Sequence, residues 1–256
     1  MNIISIIPAR MGSSRFPGKP MADILGMPMI GHVYNRVKMS KVLNEVYVAT
    51  CDEEIFEYIE SIGGKAIMTD ICHERCSDRC AEAMVEIEKM TGNRVDVMVM
   101  VQGDEPLTFP EMIEESLNPM FKNKDVLITN LVADIETLKE FEDPNEVKVV
   151  LDKNSNALYF SREPIPSRKK GVLQVPMKKQ VCVIPFERDF LIEYNGMEPT
   201  ALEIIESVDM MRILENGMPV AMVPTQYKTK AVDTPEDLEL VISIMKNDNL
   251  AKTYLN

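Results

Sequence analysis

The sequence predicts a single α/β domain with a Rossmann-like, mostly parallel mixed sheet. Residues 3–7 are β-branched except for Ser5, which is typical of a buried first strand. Residues 95–101 form a near-continuous apolar run, as expected of a central parallel strand covered on both faces. Between these runs, apolar residues recur at helical spacing, and a chain of 256 residues is long enough for one large core. We therefore treat residues 1–256 as one domain.

The other elements follow in order along the chain. Strands are expected at residues 45–50, 65–68, 126–132 and 219–224. Helices are expected to begin near residues 30, 53, 77, 110 and 235, where apolar residues take up helical spacing. The acidic residues 52–54 suit the positive end of a helix dipole, and Gly63-Gly64 would end that helix. Residues 247–256 are expected to be a frayed tail.

The composition limits the partners of the protein. A net charge of −13 argues against nucleic acid as the main partner, because phosphate backbones require basic surfaces. The chain opens as a strand without a basic leader, and no apolar run is long enough to span a membrane, so we expect neither secretion nor a membrane partner. The five cysteines are odd in number and unevenly spread, which fits a reducing cytoplasm.

The loop that follows the first strand has the composition of a polyphosphate site. It contains two glycines, whose backbone N–H groups can approach phosphate oxygens, and the cations Arg10, Arg15 and Lys19. It is not a Walker A loop, because Pro20 follows the lysine, and it lacks the G-x-G-x-x-G pattern of dinucleotide sites. The alternative is a basic surface loop without a ligand.

The segment Gln102-Gly103-Asp104-Glu105-Pro106 follows the predicted central strand. Ligands of open α/β sheets bind at the carboxyl ends of the strands. A carboxylate at that edge, facing a basic phosphate loop, is where a magnesium ligand is expected, since Mg²⁺ prefers carboxylate and phosphate oxygens. An acidic turn without a ligand is the alternative.

Two further patterns have competing interpretations. Cys72, Cys76 and Cys80 would share one helical face, but their spacing matches no common zinc or iron–sulfur pattern. Asp233 precedes a predicted helix and, taken with Pro235 and Glu236, has the features of an N-cap.

Several of these motifs together resemble one family. The loop has the form P-A-R-x-x-S-x-R-x-P-x-K, and the chain also contains V-Q-G-D-E-P, A-L-Y-F-S-R-x-P-I-P and V-D-T-P-E-D-L. The chain resembles the 3-deoxy-manno-octulosonate (KDO) cytidylyltransferases nearly from end to end. The resemblance implies a nucleotide-diphospho-sugar transferase type of fold. It also implies a homodimer, with residues of about 156–217 forming a small antiparallel lobe for acceptor binding and dimerisation.

The resemblance implies a reaction and a set of site residues. CTP would react with a small acidic acceptor, KDO or a related 2-keto-3-deoxy sugar acid, in a Mg²⁺-dependent step that releases pyrophosphate. Arg10, Lys19 and Asp104 would be catalytic, and Asp104 and Asp233 would hold Mg²⁺. The local pattern alone favours Asp233 as a helix cap, and the resemblance reverses that preference. The implied nucleotide-binding residues are Pro8, Ala9, Arg10, Ser13, Arg15, Lys19, Ser77, Arg79 and Gln102.

The acceptor-binding residues depart from the family pattern. Arg162 and Arg168 are the candidates for the sugar carboxylate, because a guanidinium can bind a carboxylate with two hydrogen bonds. Where the family has His, Tyr, an acid and Gln around the sugar, this chain has Gln180, Ile184, Asp209 and Met210. Sites that hydrogen-bond a hydroxyl reject analogues that lack it, so such changes alter specificity. A non-KDO acceptor such as a phosphonate is therefore an alternative.

Three functions of other kinds remain open at this point. A Rossmann-type oxidoreductase is disfavoured by the missing glycine fingerprint. A regulatory protein that binds the nucleotide without catalysis is disfavoured by the retained Asp104 and Asp233. Nucleotidyl transfer with another base would more often have a longer glycine-rich loop.

Overall fold

The structure is a computed structural model that describes residues 1–12, 15–169 and 174–255. Its strands, in chain order, are β1 (Ile3–Pro8), β2 (Asp23–Ile24), β3 (Met27–Pro28), β4 (Glu45–Thr50), β5 (Ala66–Met68), β6 (Val97–Val101), β7 (Thr129–Asp134), β8 (Lys148–Leu151), β9 (Ala157–Ser161), β10 (Lys178–Val181), β11 (Val183–Glu187) and β12 (Ala221–Pro224).

The helices cover and connect the sheets. They are α1 (Met29–Lys38), α2 (Glu53–Ser61), α3 (Cys76–Thr91), α4 (Pro110–Lys122), α5 (Leu138–Glu142), α6 (Arg188–Asn195), α7 (Ala201–Glu206), α8 (Met210–Glu215) and α9 (Pro235–Met245), with 3-10 turns at Lys19–Met21 and Ala251–Thr253. Within the described ranges, none of these helices has both the length and the apolar character needed to cross a lipid bilayer.

The main sheet has the strand order β11-β6-β1-β4-β5, and its last four strands run parallel. Side chains alternate between its faces: Ile4 and Ile6 join one core cluster, while Ile3 and Ile7 join the other. The first face packs against α3, and the second packs against α1 and α4. Burial on both faces explains the continuous apolar run in β6. The predicted mostly parallel α/β fold is confirmed.

The second sheet has the order β12-β7-β10-β8-β9, and β10 is antiparallel to both of its neighbours. Strand β11 follows β10 directly in the chain and pairs antiparallel with β6, so the chain passes here from the second sheet to the main sheet. The antiparallel part of the fold is thus present, as predicted. The same sheet also includes β7, β8 and β12 from outside residues 156–217, and β12 runs parallel to β7.

The predicted frayed tail is wrong. Ala251 is 1% exposed, and the hydroxyl of Tyr254 accepts a 3.0 Å hydrogen bond from Nε of Arg36. The fully buried Arg36 also pairs with the carboxylate of Asp248. A buried guanidinium needs a carboxylate partner, and the tail provides it by docking on α1. The composition of residues 247–256 did not reveal this because the partner lies more than two hundred residues away.

Candidate active site

The basic loop and the Q-G-D-E-P loop lie side by side at one edge of the main sheet. Because β1 and β6 are adjacent and parallel, the loops that follow these two strands leave the sheet at the same edge. A Cβ atom at Gly103 would lie 2.8 Å from the carbonyl oxygen of Pro8, so the close approach of the two loops requires glycine here. The loop that bears Asp233 joins them, since the backbone N–H of Val232 donates to the carbonyl of Asp104 at 2.9 Å.

Three predicted site residues meet at this edge. Nζ of Lys19 lies 2.7 Å from Oδ2 of Asp104 and 3.4 Å from Oδ1 of Asp233. Burial by itself would lower the pKa of Lys19, but the two carboxylates outweigh it and raise that pKa, so the ammonium stays charged. Oδ1 of Asp104 is buried and has no hydrogen-bond partner among the described residues.

Of the other residues of the basic loop, Pro8 and Ala9 are buried, whereas Arg10 and Arg15 are exposed. Pro8 ends β1 and Ala9 is buried, with its N–H donating to the carbonyl of Ala49, so both shape the backbone. Arg15 is half exposed, lies 3.1 Å from Oδ1 of Asp233 and also contacts Asn145. Arg10 is exposed and makes no hydrogen bond or ion pair with another described residue. The predicted Ser13 lies outside the described residues.

Asp233 is not the cap of α9. The N-cap is Thr234, whose hydroxyl accepts from the N–H of Asp237 at 3.2 Å. The carboxylate of Asp237 in turn accepts from the backbone N–H groups of Thr234 and Asp233. The capping box is therefore shifted by one residue from the cap that the sequence suggested, and the carboxylate of Asp233 faces Lys19 and Arg15 instead.

These groups open into a cavity of about 770 Å³. Ten of the predicted site residues line it: Arg10, Arg15, Gln102, Asp104, Arg162, Gln180, Ile184, Asp209, Met210 and Asp233. A cleft of this size and of mixed polarity is large enough for two small substrates.

Two of the predicted cytidine contacts are engaged elsewhere. Arg79 is 2% exposed, and its guanidinium donates to the side chain of Thr69 and to the carbonyl of His73. It therefore holds the segment before α3 and does not line the cavity. Ser77 is buried, and its hydroxyl donates to Oδ2 of Asp209 at 3.0 Å. Gln102 does line the cavity.

The two predicted carboxylate-binding arginines differ in position. Arg162 lines the cavity, but its guanidinium donates to the backbone carbonyls of Pro144, Glu206 and Ser207 at 2.8–3.1 Å. Arg168 is exposed and is not among the described residues that line the cavity.

The predicted acceptor wall is partly apolar. Ile184 and Met210 are 2% and 1% exposed, and both line the cavity. The amide of Gln180 donates to the side-chain oxygen of Asn130 at 2.5 Å, so its donor is directed into the second sheet. Burial raises the pKa of Asp209, while the hydroxyl of Ser77 and the charge of Arg75 oppose that rise.

The cysteines of residues 72–80 lie in different environments. Cys72 is exposed, Cys76 is the first residue of α3, and Cys80 is fully buried. Burial raises the pKa of Cys76 to about 12, so its sulfur stays a thiol, which is a poor metal ligand. In the part of the chain that the structure describes, no three acidic, cysteine or histidine side chains form a group that could hold a metal ion.

Comparison with known proteins assigns the family. The sequence pattern of the cytidylyltransferase family matches residues 4–229. The chain belongs to the cytidylyltransferase family. It is an enzyme, a CTP-dependent nucleotidyltransferase.

The relatives of this cytidylyltransferase match it over nearly their whole length. It is 42% identical to 3-deoxy-manno-octulosonate cytidylyltransferase of Geotalea uraniireducens, over 96% of this chain and 100% of the relative. The corresponding protein of Geobacter sulfurreducens is 43% identical over the same shares of both chains. A solved structure of CMP:2-keto-3-deoxy-manno-octonic acid synthetase complexed with CTP superposes with a TM-score of 0.87 at 36% identity, covering 96% of this chain and 99% of the other.

The sequence did not single out several residues that line the cavity of the cytidylyltransferase. Glu146 is bound by Lys179 at 3.1 Å and by Lys230 at 2.9 Å, and Lys230 also reaches Asp237. The sequence does not show these partners of Glu146, because Lys179 and Lys230 lie 33 and 84 residues away from it. Arg75 and Glu203, 128 residues apart, also pair at the cavity wall.

Glu105 is a buried carboxyl group with an unusual proton affinity. It is 6% exposed, and its Oε2 has no hydrogen-bond partner among the described residues. Burial, the largest cause, and the neighbouring Asp104 carboxylate together raise the pKa of Glu105 to about 8, although the ammonium of Lys179 opposes them. The carboxyl group therefore carries a proton at neutral pH.

Replacing Glu105 by glutamine is expected to stabilise the metal-free enzyme, and increasingly so as pH rises. Between the ordinary pKa of 4.5 and about 8, the folded chain keeps the proton that the unfolded chain has lost, so wild-type stability falls with rising pH. Urea unfolding in EDTA should show the advantage of Glu105→Gln growing by more than about 1 kcal/mol between pH 5 and 7.5. Glu111→Gln, at an exposed position on α4, is the matched control. An advantage independent of pH contradicts the assignment.

Proposed function

We propose that this enzyme transfers CMP from CTP to KDO or a closely related 2-keto-3-deoxy sugar acid and releases pyrophosphate, with Mg²⁺ as cofactor. The observation that supports it most is the meeting of Lys19, Asp104 and Asp233 beside the exposed Arg10 at the edge of one cavity. We name KDO as the acceptor because relatives that are named for this substrate match the chain over nearly its full length.

The residues fit a divalent cation. Asp104 has one oxygen on Lys19 and one buried oxygen without a partner among the described residues, and Asp233 is in contact with the same lysine. Of the described lining residues, four are arginines and seven are acidic, so a triphosphate would meet carboxylates as well as cations in the cavity. Asp104 and Asp233 would hold Mg²⁺, which, when bound, offsets phosphate charge and polarises the reacting oxygens.

The residues of the chain would orient the two substrates. Arg10, Arg15 and Lys19 would bind the triphosphate and offset the charge that gathers on the leaving pyrophosphate. Gln102 would contact the cytidine. An acceptor hydroxyl oxygen attacks the α-phosphorus, the bond from that phosphorus to the bridging oxygen of the β-phosphate breaks, and pyrophosphate leaves with the electron pair. The hydroxyl proton passes to solvent.

We further propose that residues 156–217 form the acceptor-binding and dimerisation region and that the enzyme works as a homodimer in the cytoplasm. Helix α7 carries Ile204 and Ile205, which are 65% and 74% exposed in one chain. An apolar pair of this kind would be covered in a complex of two copies.

The alternative acceptor is a small anion other than KDO, such as a phosphonate. The buried Ile184 and Met210 and the engaged amide of Gln180 leave fewer hydrogen-bond donors for sugar hydroxyls than the family pattern implies.

Pyrophosphate release by the wild-type enzyme tests these proposals. The reaction is run with Mg²⁺, with each of the four ribonucleoside triphosphates in turn, and with KDO, its amino analogue, other 2-keto acids or a phosphonate. We expect release only when CTP and a 2-keto-3-deoxy sugar acid are both present, with one CMP-acceptor formed per pyrophosphate. Turnover confined to the phosphonate would select the alternative acceptor. CTP binding without turnover of any acceptor would indicate a regulatory protein.

A further inference from the structure

A second cluster of charged side chains lines the cavity, and the proposed chemistry does not use it. Arg75, Glu203 and Asp209 come from the residue before α3, from α7 and from the residue before α8. In the described structure, none of the three contacts Asp104 or Asp233. The predicted acceptor residues Asp209 and Met210 belong to the same part of the wall.

Arg212 already satisfies the carboxylate of Glu203. Its Nε donates to Oε2 at 2.8 Å and its Nη2 donates to Oε1 at 2.9 Å, a two-bond guanidinium–carboxylate pair. The backbone N–H of Thr200 adds a third hydrogen bond, at 3.1 Å. Glu203 is 2% exposed and Arg212 is 3% exposed, so this pair is part of the rigid protein interior.

Arg75 is therefore a second guanidinium on a carboxylate that is already paired. Its Nη1 contacts Oε1 of Glu203, and its other N–H groups make no hydrogen bond with the described residues. The side chain of Arg75 is 24% exposed, in contrast to the buried Glu203. It is also the N-cap residue of α3, a helix of 16 residues whose positive dipole end favours anions. Arg75 thus brings unused N–H groups to the cavity, on a side chain that Glu203 holds in place and whose charge also acts on the carboxylate of Asp209.

Arg10 is already assigned to the triphosphate, and the other arginines are less suited to an acceptor anion. All three guanidinium nitrogens of Arg162 donate to backbone carbonyls, which fixes that side chain as part of the wall. Arg15 is paired with Asp233. Arg168 is exposed, outside the described lining of the cavity.

We propose that Arg75 binds the carboxylate of the acceptor through the N–H groups that Glu203 does not use. This inference rests on the proposed transfer to a sugar acid and adds the residue that recognises its acid group. The ligand class is a small planar carboxylate, which a guanidinium binds with two parallel hydrogen bonds and an ammonium does not.

The test compares Arg75→Met, Arg75→Lys and Arg168→Met with the wild type, using pyrophosphate release with KDO or whichever 2-keto-3-deoxy sugar acid the wild type converts. Arg75→Met is expected to raise KM for the acceptor roughly 10- to 100-fold, because a hydrogen bond to a charged group is lost. Arg75→Lys is expected to fall between it and the wild type. KM for CTP should change less than about twofold, since CTP keeps its own contacts. Arg94→Met, past the other end of α3, controls for the loss of one surface arginine.

A second readout separates binding from a structural role. The wild type should prefer the acceptor carboxylate to its carboxamide, and Arg75→Met should lose most of that preference. An unchanged acceptor KM or an unchanged preference in Arg75→Met overturns the inference, as does a larger rise in KM for CTP than for the acceptor or a larger acceptor effect from Arg168→Met. If the wild type converts no sugar acid, the proposed function fails and this inference fails with it.

Discussion

Replacing Asp104 by asparagine is expected to lower kcat by roughly a thousandfold or more while leaving the fold intact. The carboxylate has one oxygen on Lys19 and a second that is buried without a partner among the described residues. Asparagine has the same shape but lacks the charge that a divalent cation requires. The measurement is CTP-dependent pyrophosphate release at saturating substrates and Mg²⁺.

Asp96→Asn is the matched control for this prediction. Asp96 immediately precedes β6 and is exposed, so it lies at the opposite end of the strand that leads to Asp104. The control should keep wild-type turnover, and both variants should unfold cooperatively, as judged by circular dichroism. Wild-type turnover by Asp104→Asn would reject the role of Asp104 in holding the metal.

Replacing Lys19 by methionine is expected to lower kcat/KM for CTP roughly 100-fold, because a cation facing the triphosphate is removed. It should also change how stability depends on metal. Asp104 and Asp233 both contact Nζ of Lys19, so without it Asp104 loses its cation and Asp233 keeps only Arg15.

Thermal unfolding measures the second effect. In EDTA, Lys19→Met should unfold at a lower temperature than the wild type, and Mg²⁺ should raise its midpoint by more than it raises that of the wild type, because the ion replaces the lost charge. Lys89→Met, which removes an exposed lysine paired with Glu86, is the control. Equal Mg²⁺ shifts in Lys19→Met and the wild type would contradict the expectation that the ion replaces the charge of Lys19.

The central sheet and the edge that bears the site could be predicted from the sequence. The apolar runs that became β1 and β6 are continuous because both faces of the sheet are covered. Parallel neighbouring strands then bring the residues after each strand to one edge, which is why Arg10 and Asp104 line one cavity.

The partners of individual side chains could not be predicted. Patterns over a few residues show that Arg36, Arg75 and Arg79 are cations, but not which distant group each one meets. Arg79 holds a nearby loop and Arg36 holds the tail, while Arg75 pairs with Glu203, 128 residues away. The cap of α9 was misplaced for a related reason. Asp233 and Thr234 are both good caps, and the choice depends on the charges around Lys19.

The proposed reaction depends most on Asp104 and Asp233 holding one metal ion beside the nucleotide. Electron paramagnetic resonance of Mn²⁺, titrated into the enzyme with CTP, measures that binding without any turnover. We expect Asp104→Asn and Asp233→Asn each to weaken Mn²⁺ binding by more than roughly tenfold, and the double variant to lose little more, because the two groups serve one ion. Mn²⁺ affinity equal to that of the wild type in both single variants would contradict the account.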